Sequence, residues 1–485
     1  MRAVVVGAGV GGLAAAIRLA HAGHAVTVLE QHAVAGGKAG RWESDGFTFD
    51  TGPSLLTMPW VFQELFADTG ADLAESVELV SVEPVTRYRF ADGSVVELSA
   101  DLPRAIAALE AWSPGAGSDW VRFLGTAASM WRASRPFLNG PPPWPPRRPQ
   151  PGEGTPDPRD LLRVRPWSTL RGLARNHARD RRLRLVIERF ATYAGADPRR
   201  APAALALAGY VEHAFGAWHL RGGIYALVEA LARRLALLGG ELRLETTVER
   251  ISVSGGRVEA VECAGDRIAC EVVVSSADAE RLEGELLGQA DGPRRERSLS
   301  GFALMLGLRG HTPGLAHHNI LFPADYDAEF DDVFVHRRPV RDPTIYVAAS
   351  SVSDAGEAPP GCENWFVLVN APTQGDGLDW DAAADAYEQA LLDRLAARGL
   401  DVRARVAVRA RRTPADLERQ TGAAGGAIYG AAPHGRLGTL RRPGNRSPAA
   451  HGLYLVGGTT HPGGGLPLVA LSAKIVAEEI GPATS

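Results

Sequence analysis

The chain has 485 residues, enough for two or three domains and a large core. Its 52 basic and 56 acidic side chains leave a net charge of −4, which argues against general nucleic-acid binding. Three cysteines, an odd number, fit a reducing compartment without a disulfide framework; with no leader-like start and no apolar run long enough for a bilayer, a cytoplasmic protein is expected.

The chain opens on a strand. Residues 3–6 form a short apolar run that suits a buried parallel strand. Gly7, Gly9 and Gly12 follow as G-x-G-x-x-G, with Gly11 beside the last. Leu13, Ala14, Ile17 and Leu19 supply a helix that Gly23 ends. Residues 26–29 are a second strand, with Glu30 at its end. The first glycine permits the tight turn, the second lets backbone approach a pyrophosphate, and the third lets helix pack on strand. The helix N-terminus offers free N–H groups to phosphate, and Glu30 is placed for the ribose hydroxyls. This spacing predicts a dinucleotide site; the alternative is a purely structural βαβ corner.

Gly36, Gly37, Lys38 and Arg41 come next. The glycine pair lets backbone approach a ligand closely, and the two cations could neutralise phosphate. Lys38 and Lys474 are the only lysines, and both lie in glycine-rich segments. Residues 42–49 read as a hairpin around Asp45-Gly46. The run GGKAG, followed by DGFTFDTGPSLLTMP through Pro59, resembles the bacterial-type phytoene desaturases, a family of FAD-dependent carotenoid desaturases. It resembles the flavin amine oxidases more distantly. The resemblance implies that Gly37 and Lys38 lie against FAD, and that Gly52 and Pro53 lie near flavin and substrate. Lys38 stands where arginine is common among relatives, which keeps the charge but not a bidentate phosphate contact.

A short helix is expected over 61–70, a hairpin over 77–98 around Asp92-Gly93, and helices over 101–112 and 119–131. Trp120, Phe123, Leu124 and Trp131 give the last an aromatic face, for core packing or for a lipid tunnel. Residues 136–158 are proline-rich and read as a stiff extended loop, neither helix nor strand. Residues 159–184 are arginine-rich, with Leu161, Leu162, Val164, Trp167, Leu170 and Leu173 between the charges. That suits an anionic membrane surface; a solvated helix face is the other reading. Helices follow over 183–193 and 202–215, and Gly222 and Gly223 introduce another through Leu238. The resemblance places Val248 over the adenine. Residues 257–274 read as a hairpin holding Cys263 and Cys270 in ordinary strand packing.

From Gly301 onwards, apolar and alternating runs suggest a mostly antiparallel sheet. His317 and His318 are adjacent, so on a strand they point to opposite faces, and no metal site is expected. Helices are expected over 379–398 and 414–420, with a strand over 406–411. In the closing segment a strand over 453–456 runs into Gly457 and Gly458. A loop with Gly463, Gly464 and Gly465 then opens a helix at Leu466, with Leu468 in its first turn. Strand, glycine loop and helix N-terminus point again at an anion. The resemblance implies that this segment touches the pyrophosphate and the flavin ring. Its form is nearest to the hydroxycarotenoid 3,4-desaturases.

The expected fold is α/β. A discontinuous Rossmann-like FAD-binding domain takes residues 1–87, 225–300 and 425–485. A substrate domain of mixed antiparallel sheet and helices takes 88–224, membrane-facing, and 301–424. No C-x-x-x-x-C pair follows Glu30 and no second dinucleotide fingerprint occurs, so FAD is the only redox cofactor expected. Quinone or oxygen must then reoxidise it. A long carotenoid cannot diffuse through water and needs an apolar tunnel with a mouth at the membrane, which makes the protein peripheral. The implied reaction passes hydride from an allylic carbon to the flavin, with a proton lost from the neighbouring carbon. No base is identified; His219, Arg221 and His461 are candidates by resemblance alone, beside structural roles. A phytoene desaturase, a carotenoid oxygenase or ketolase, and a non-enzymatic isoprenoid carrier remain as alternatives. The complete phosphate loop and Glu30 speak against the carrier.

Overall fold

The computed structural model describes residues 1–142, 158–288, 295–375, 377–436 and 438–483. Five parallel strands form the first sheet, in the order Leu453–Leu455, Val272–Ser275, Arg2–Val6, Ala25–Leu29, Glu241–Arg243. The first strand is central because both its faces are covered. Val5, fully buried, pairs in register with Val274 and Val28. Helix Val10–His21 follows, and Leu13, Ala14 and Ile17 bury its inner face. The closing helix Leu466–Ile480 packs beside it, so the two ends of the chain share one core.

Seven strands form the second sheet, in the order Val406–Arg412, Ser300–Arg309, Cys362–Ala371, Ile345–Ala348, His318–Leu321, Thr86–Arg89, Val95–Leu98. All neighbours are antiparallel except His318–Leu321 and Thr86–Arg89. Trp365, Trp380 and Leu395 fill the space between one face and helix Trp380–Ala397. Among the described residues, no helix is long and apolar enough to cross a membrane.

Three local expectations change. The hairpin expected over 77–98 is narrower: Thr86–Arg89 pairs with Val95–Leu98, while Leu79–Ser81 pairs with Trp218–Leu220. Pro84 divides the run, since proline donates nothing to a ladder. Strands Arg257–Cys263 and Asp266–Ala269 make the second hairpin, but Val272–Ser275 leaves it for the central sheet, and Cys270 falls between. Helix Ala116–Asn139 carries Pro136 inside its final turn, so the proline-rich stretch begins within a helix; residues 143–157 lie outside the described ones. Trp120 and Phe123 of that helix are core residues, whereas Trp131 lines the cavity described next.

Candidate functional site

A cavity of about 870 Å³ opens beside the parallel sheet, at the end where the strands run into glycine loops. Ligands of open α/β sheets bind at that end. Gly7, Gly9, Gly11, Glu30 and Val248 form part of its wall. Gly37, Lys38, Gly52, Pro53, Gly457, Gly458, Leu466 and Leu468 also line it. Gly12 sits behind the loop, where a Cβ would lie 2.0 Å from the Gly7 carbonyl oxygen. A Cβ on Gly52 would lie 1.9 Å from the Lys38 carbonyl oxygen, so that loop too closes only on glycine.

Glu30 is buried and accepts the N–H groups of Ala8 at 2.8 Å and His32 at 3.0 Å. These bonds hold the carboxylate at the strand end and leave each oxygen a further lone pair for a ribose hydroxyl. Lys38 donates to the carbonyls of Ile428 at 2.7 Å and Ala427 at 3.2 Å, keeping one N–H for a ligand. Burial pulls its ammonium down to about 8; Arg412 and Arg442 add to this and Asp278 opposes it. Arg412 donates to the Thr51 carbonyl at 2.7 Å, and its Nε has no partner. Arg442 donates to the carbonyls of Tyr429 and Gly458, both at 3.0 Å. Burial pulls each guanidinium down to about 10. Three cations and the carboxylate of Asp278 leave this part of the wall positive, which fits an anionic group such as a pyrophosphate.

Several expected roles do not hold. His219 and Arg221 do not line the cavity. Arg221 points outward, bonded to Glu78 at 2.8 Å. Arg41 also leaves it, pairing with Glu43 and Glu229 above the Tyr225 ring. His461 does line it, but its Nε2 is bonded to the Gly140 carbonyl at 3.0 Å, tying the closing loop to the end of the long helix. Burial holds that imidazole below its usual range. His317 and His318 do not diverge: their ring centroids are 4.3 Å apart, because the strand begins only at His318.

Asp50 lies beside the cavity-lining Thr51 and caps a distant helix, accepting Ile224 N–H at 2.8 Å and Tyr225 N–H at 3.2 Å. Asp50→Ala is expected to lower stability by about 1–2 kcal/mol, measured by urea unfolding, because two N–H groups at the start of Tyr225–Leu237 lose their acceptor.

Residues 10–299 match the family described as flavin containing amine oxidoreductase. The chain belongs to the flavin containing amine oxidoreductase family. The flavoenzyme is 36% identical over 498 residues to hydroxyneurosporene desaturase of Rubrivivax gelatinosus, across 99% of this chain and 93% of that one. It is 34% identical over 499 residues to 4,4'-diapolycopene oxygenase of Methylomonas sp, across 99% and 98%. Its fold is shared with a solved oxidoreductase from Methanosarcina mazei, at a TM-score of 0.63 and 18% identity, over 99% of this chain and 100% of that one. The flavoenzyme is an FAD-dependent oxidoreductase. Arg412, Arg442, Asp278 and Tyr346 line its cavity without having been singled out in the sequence. Each arrives from a strand end or loop with no motif around it. Tyr346 bridges the Ser54 hydroxyl at 2.5 Å and His318 Nδ1 at 2.7 Å.

Proposed function

We propose that the flavoenzyme desaturates an acyclic carotenoid, with a hydroxycarotenoid as substrate and the 3,4 bond as its target. The cavity carries this reading: it continues from the cationic loops onto a wall of Leu138, Leu205, Ala208, Val211, Ile320 and Phe366. A conjugated polyene gains by leaving water for such a surface, at roughly 25 cal/mol per Å² buried. Bound FAD supplies the hydride acceptor. The described residues of 1–87, 225–300 and 425–485 would hold it, with Glu30 on the ribose, Val248 at the adenine and Lys38 on the phosphates; those of 88–224 and 301–424 would hold the polyene. The apolar wall keeps water from the polyene, and the Tyr346 hydroxyl offers a hydrogen-bond partner beside it. Val164 and Pro166 line the cavity next to Leu162, 61% exposed, and Trp167, 57% exposed. With Arg163 and Arg165 between them, this mouth suits an anionic membrane surface on the cytoplasmic side. Leu170 and Leu173 take no part in it, since both are buried in the core. Quinone or oxygen is the electron acceptor.

The test is the product mass of acyclic hydroxycarotenoids incubated in liposomes with the FAD-loaded protein. Loss of two hydrogens is expected, and unchanged substrate throughout refutes the reading. The likeness to the Methylomonas oxygenase favours a second reading, oxygenation, which the same spectrum reveals as a gain of oxygen. Ala208→Trp fills the apolar part of the cavity and is expected to cut turnover more than tenfold while flavin content stays at the wild-type level.

A further inference from the structure

Outside the cavity, three side chains from distant segments meet in the interior. His219 lies on strand Trp218–Leu220 and is 1% exposed; Asp354 is 4% and Glu357 3% exposed, on either side of a single 3-10 turn. His219 Nε2 is 3.5 Å from Glu357 Oε1 and 3.7 Å from Asp354 Oδ2, and the three donor atoms all lie within 4.8 Å of one another. Neither ring nitrogen of His219 has a hydrogen-bond partner. Buried polar groups are normally hydrogen-bonded, and this imidazole instead stands at ion-pair distance from two buried carboxyls.

We propose that His219, Asp354 and Glu357 bind one divalent cation of the zinc class. In a tetrahedral site with bonds of about 2.0 Å the donor atoms stand about 3.3 Å apart, so these side chains need move only slightly. Asp354 already pairs with Arg221 at 3.3 Å through its other oxygen, and a nitrogen with two carboxylate oxygens is a donor set that zinc accepts. The groups around the site already orient the donors. Asp354 accepts Gly222 N–H at 2.8 Å and Gly356 N–H at 3.1 Å, and Glu357 Oε2 accepts Asn364 Nδ2 at 3.3 Å, leaving Oε1 turned to the imidazole. His317 stands next to the site: its ring centroid is 5.0 Å from that of His219, its Nδ1 is bonded to Ser353 Oγ at 2.8 Å, and its Nε2 is free for a fourth position. The ion would clamp strand Trp218–Leu220 to the turn that precedes Cys362–Ala371.

The experiment strips the full-length, FAD-loaded protein with a chelator, dialyses it against zinc, and measures zinc per chain and the melting temperature. One zinc per chain and a raised melting temperature are expected for the wild type. His219→Gln and Glu357→Gln are expected to lose the zinc and its effect on melting while keeping the flavin absorbance. Wild-type protein that retains no zinc and melts unchanged in its presence, or variants that retain as much as the wild type, would overturn the site.

Discussion

Gly12→Ala is expected to yield a colourless protein of lowered stability. The added methyl would sit 2.0 Å from the Gly7 carbonyl oxygen and 3.2 Å from Ser276 Cβ. Neither neighbour is the end of a flexible side chain. The Gly7 backbone is itself fixed, since its N–H donates to the Leu29 carbonyl at 2.8 Å across the first two strands. Relief must come from moving helix Val10–His21 off the sheet. That costs about 1–3 kcal/mol as overpacking and also displaces the N–H groups meant for phosphate. Gly9→Ala is the control. Its methyl meets nothing closer than Ser276 Oγ at 3.7 Å, so the fold stands while the methyl intrudes on the path of the phosphates. Flavin-to-protein ratio and melting temperature separate the two: Gly12→Ala loses both, and Gly9→Ala loses the flavin alone.

Lys38→Met is expected to weaken FAD binding about tenfold to a hundredfold near pH 7, the value of one charge-assisted contact of about 1.5–3 kcal/mol. The pH dependence follows from the same residue. Burial lowers the ammonium to about 8, so below that value the empty site presents the charge and above it the charge is lost. An anionic ligand favours the charged form, and the affinity of the wild type is therefore greatest below pH 8 and declines above it. In Lys38→Met this decline disappears, and in Lys38→Arg the affinity stays high on both sides. Fluorescence titration of FAD at about pH 7 and pH 9 reads all three cases. A decline that persists in Lys38→Met would place the titrating group elsewhere.

What the sequence discloses is what local chain geometry decides. Residues 2–30 and 453–468 each carry strand, turn and helix within one short window, and Gly7, Gly9, Gly11, Glu30, Gly457, Gly458, Leu466 and Leu468 line the cavity. Gly12 lies behind the loop, in keeping with its packing role. The cationic wall is different. Lys38 shows itself through its glycine neighbours, but Arg412 and Arg442 are two arginines among many. Only the folding of a distant strand against Thr51, and of a loop against Gly458, brings them to the cavity. His219 and Arg221 illustrate the converse. At i and i+2 they share one side, and that side faces Asp354 rather than the cavity: His219 is buried against Asp354 and Glu357, while Arg221, one residue past the strand, reaches Asp354 and the exposed Glu78. The two adjacent histidines stay together because the strand begins only at His318, so alternation does not yet govern His317.

The central claim is that both ends of the chain hold one FAD beside an apolar slot for a polyene. A crystal structure of the protein loaded with FAD tests it most directly. The account predicts the adenosine against Glu30 and Val248, the pyrophosphate along Gly7 to Gly11 with Lys38 beside it, and the ring among Pro53, Gly457 and Leu466, open to Ala208 and Phe366. A dinucleotide bound elsewhere, or a ring walled off from that apolar surface, would contradict it.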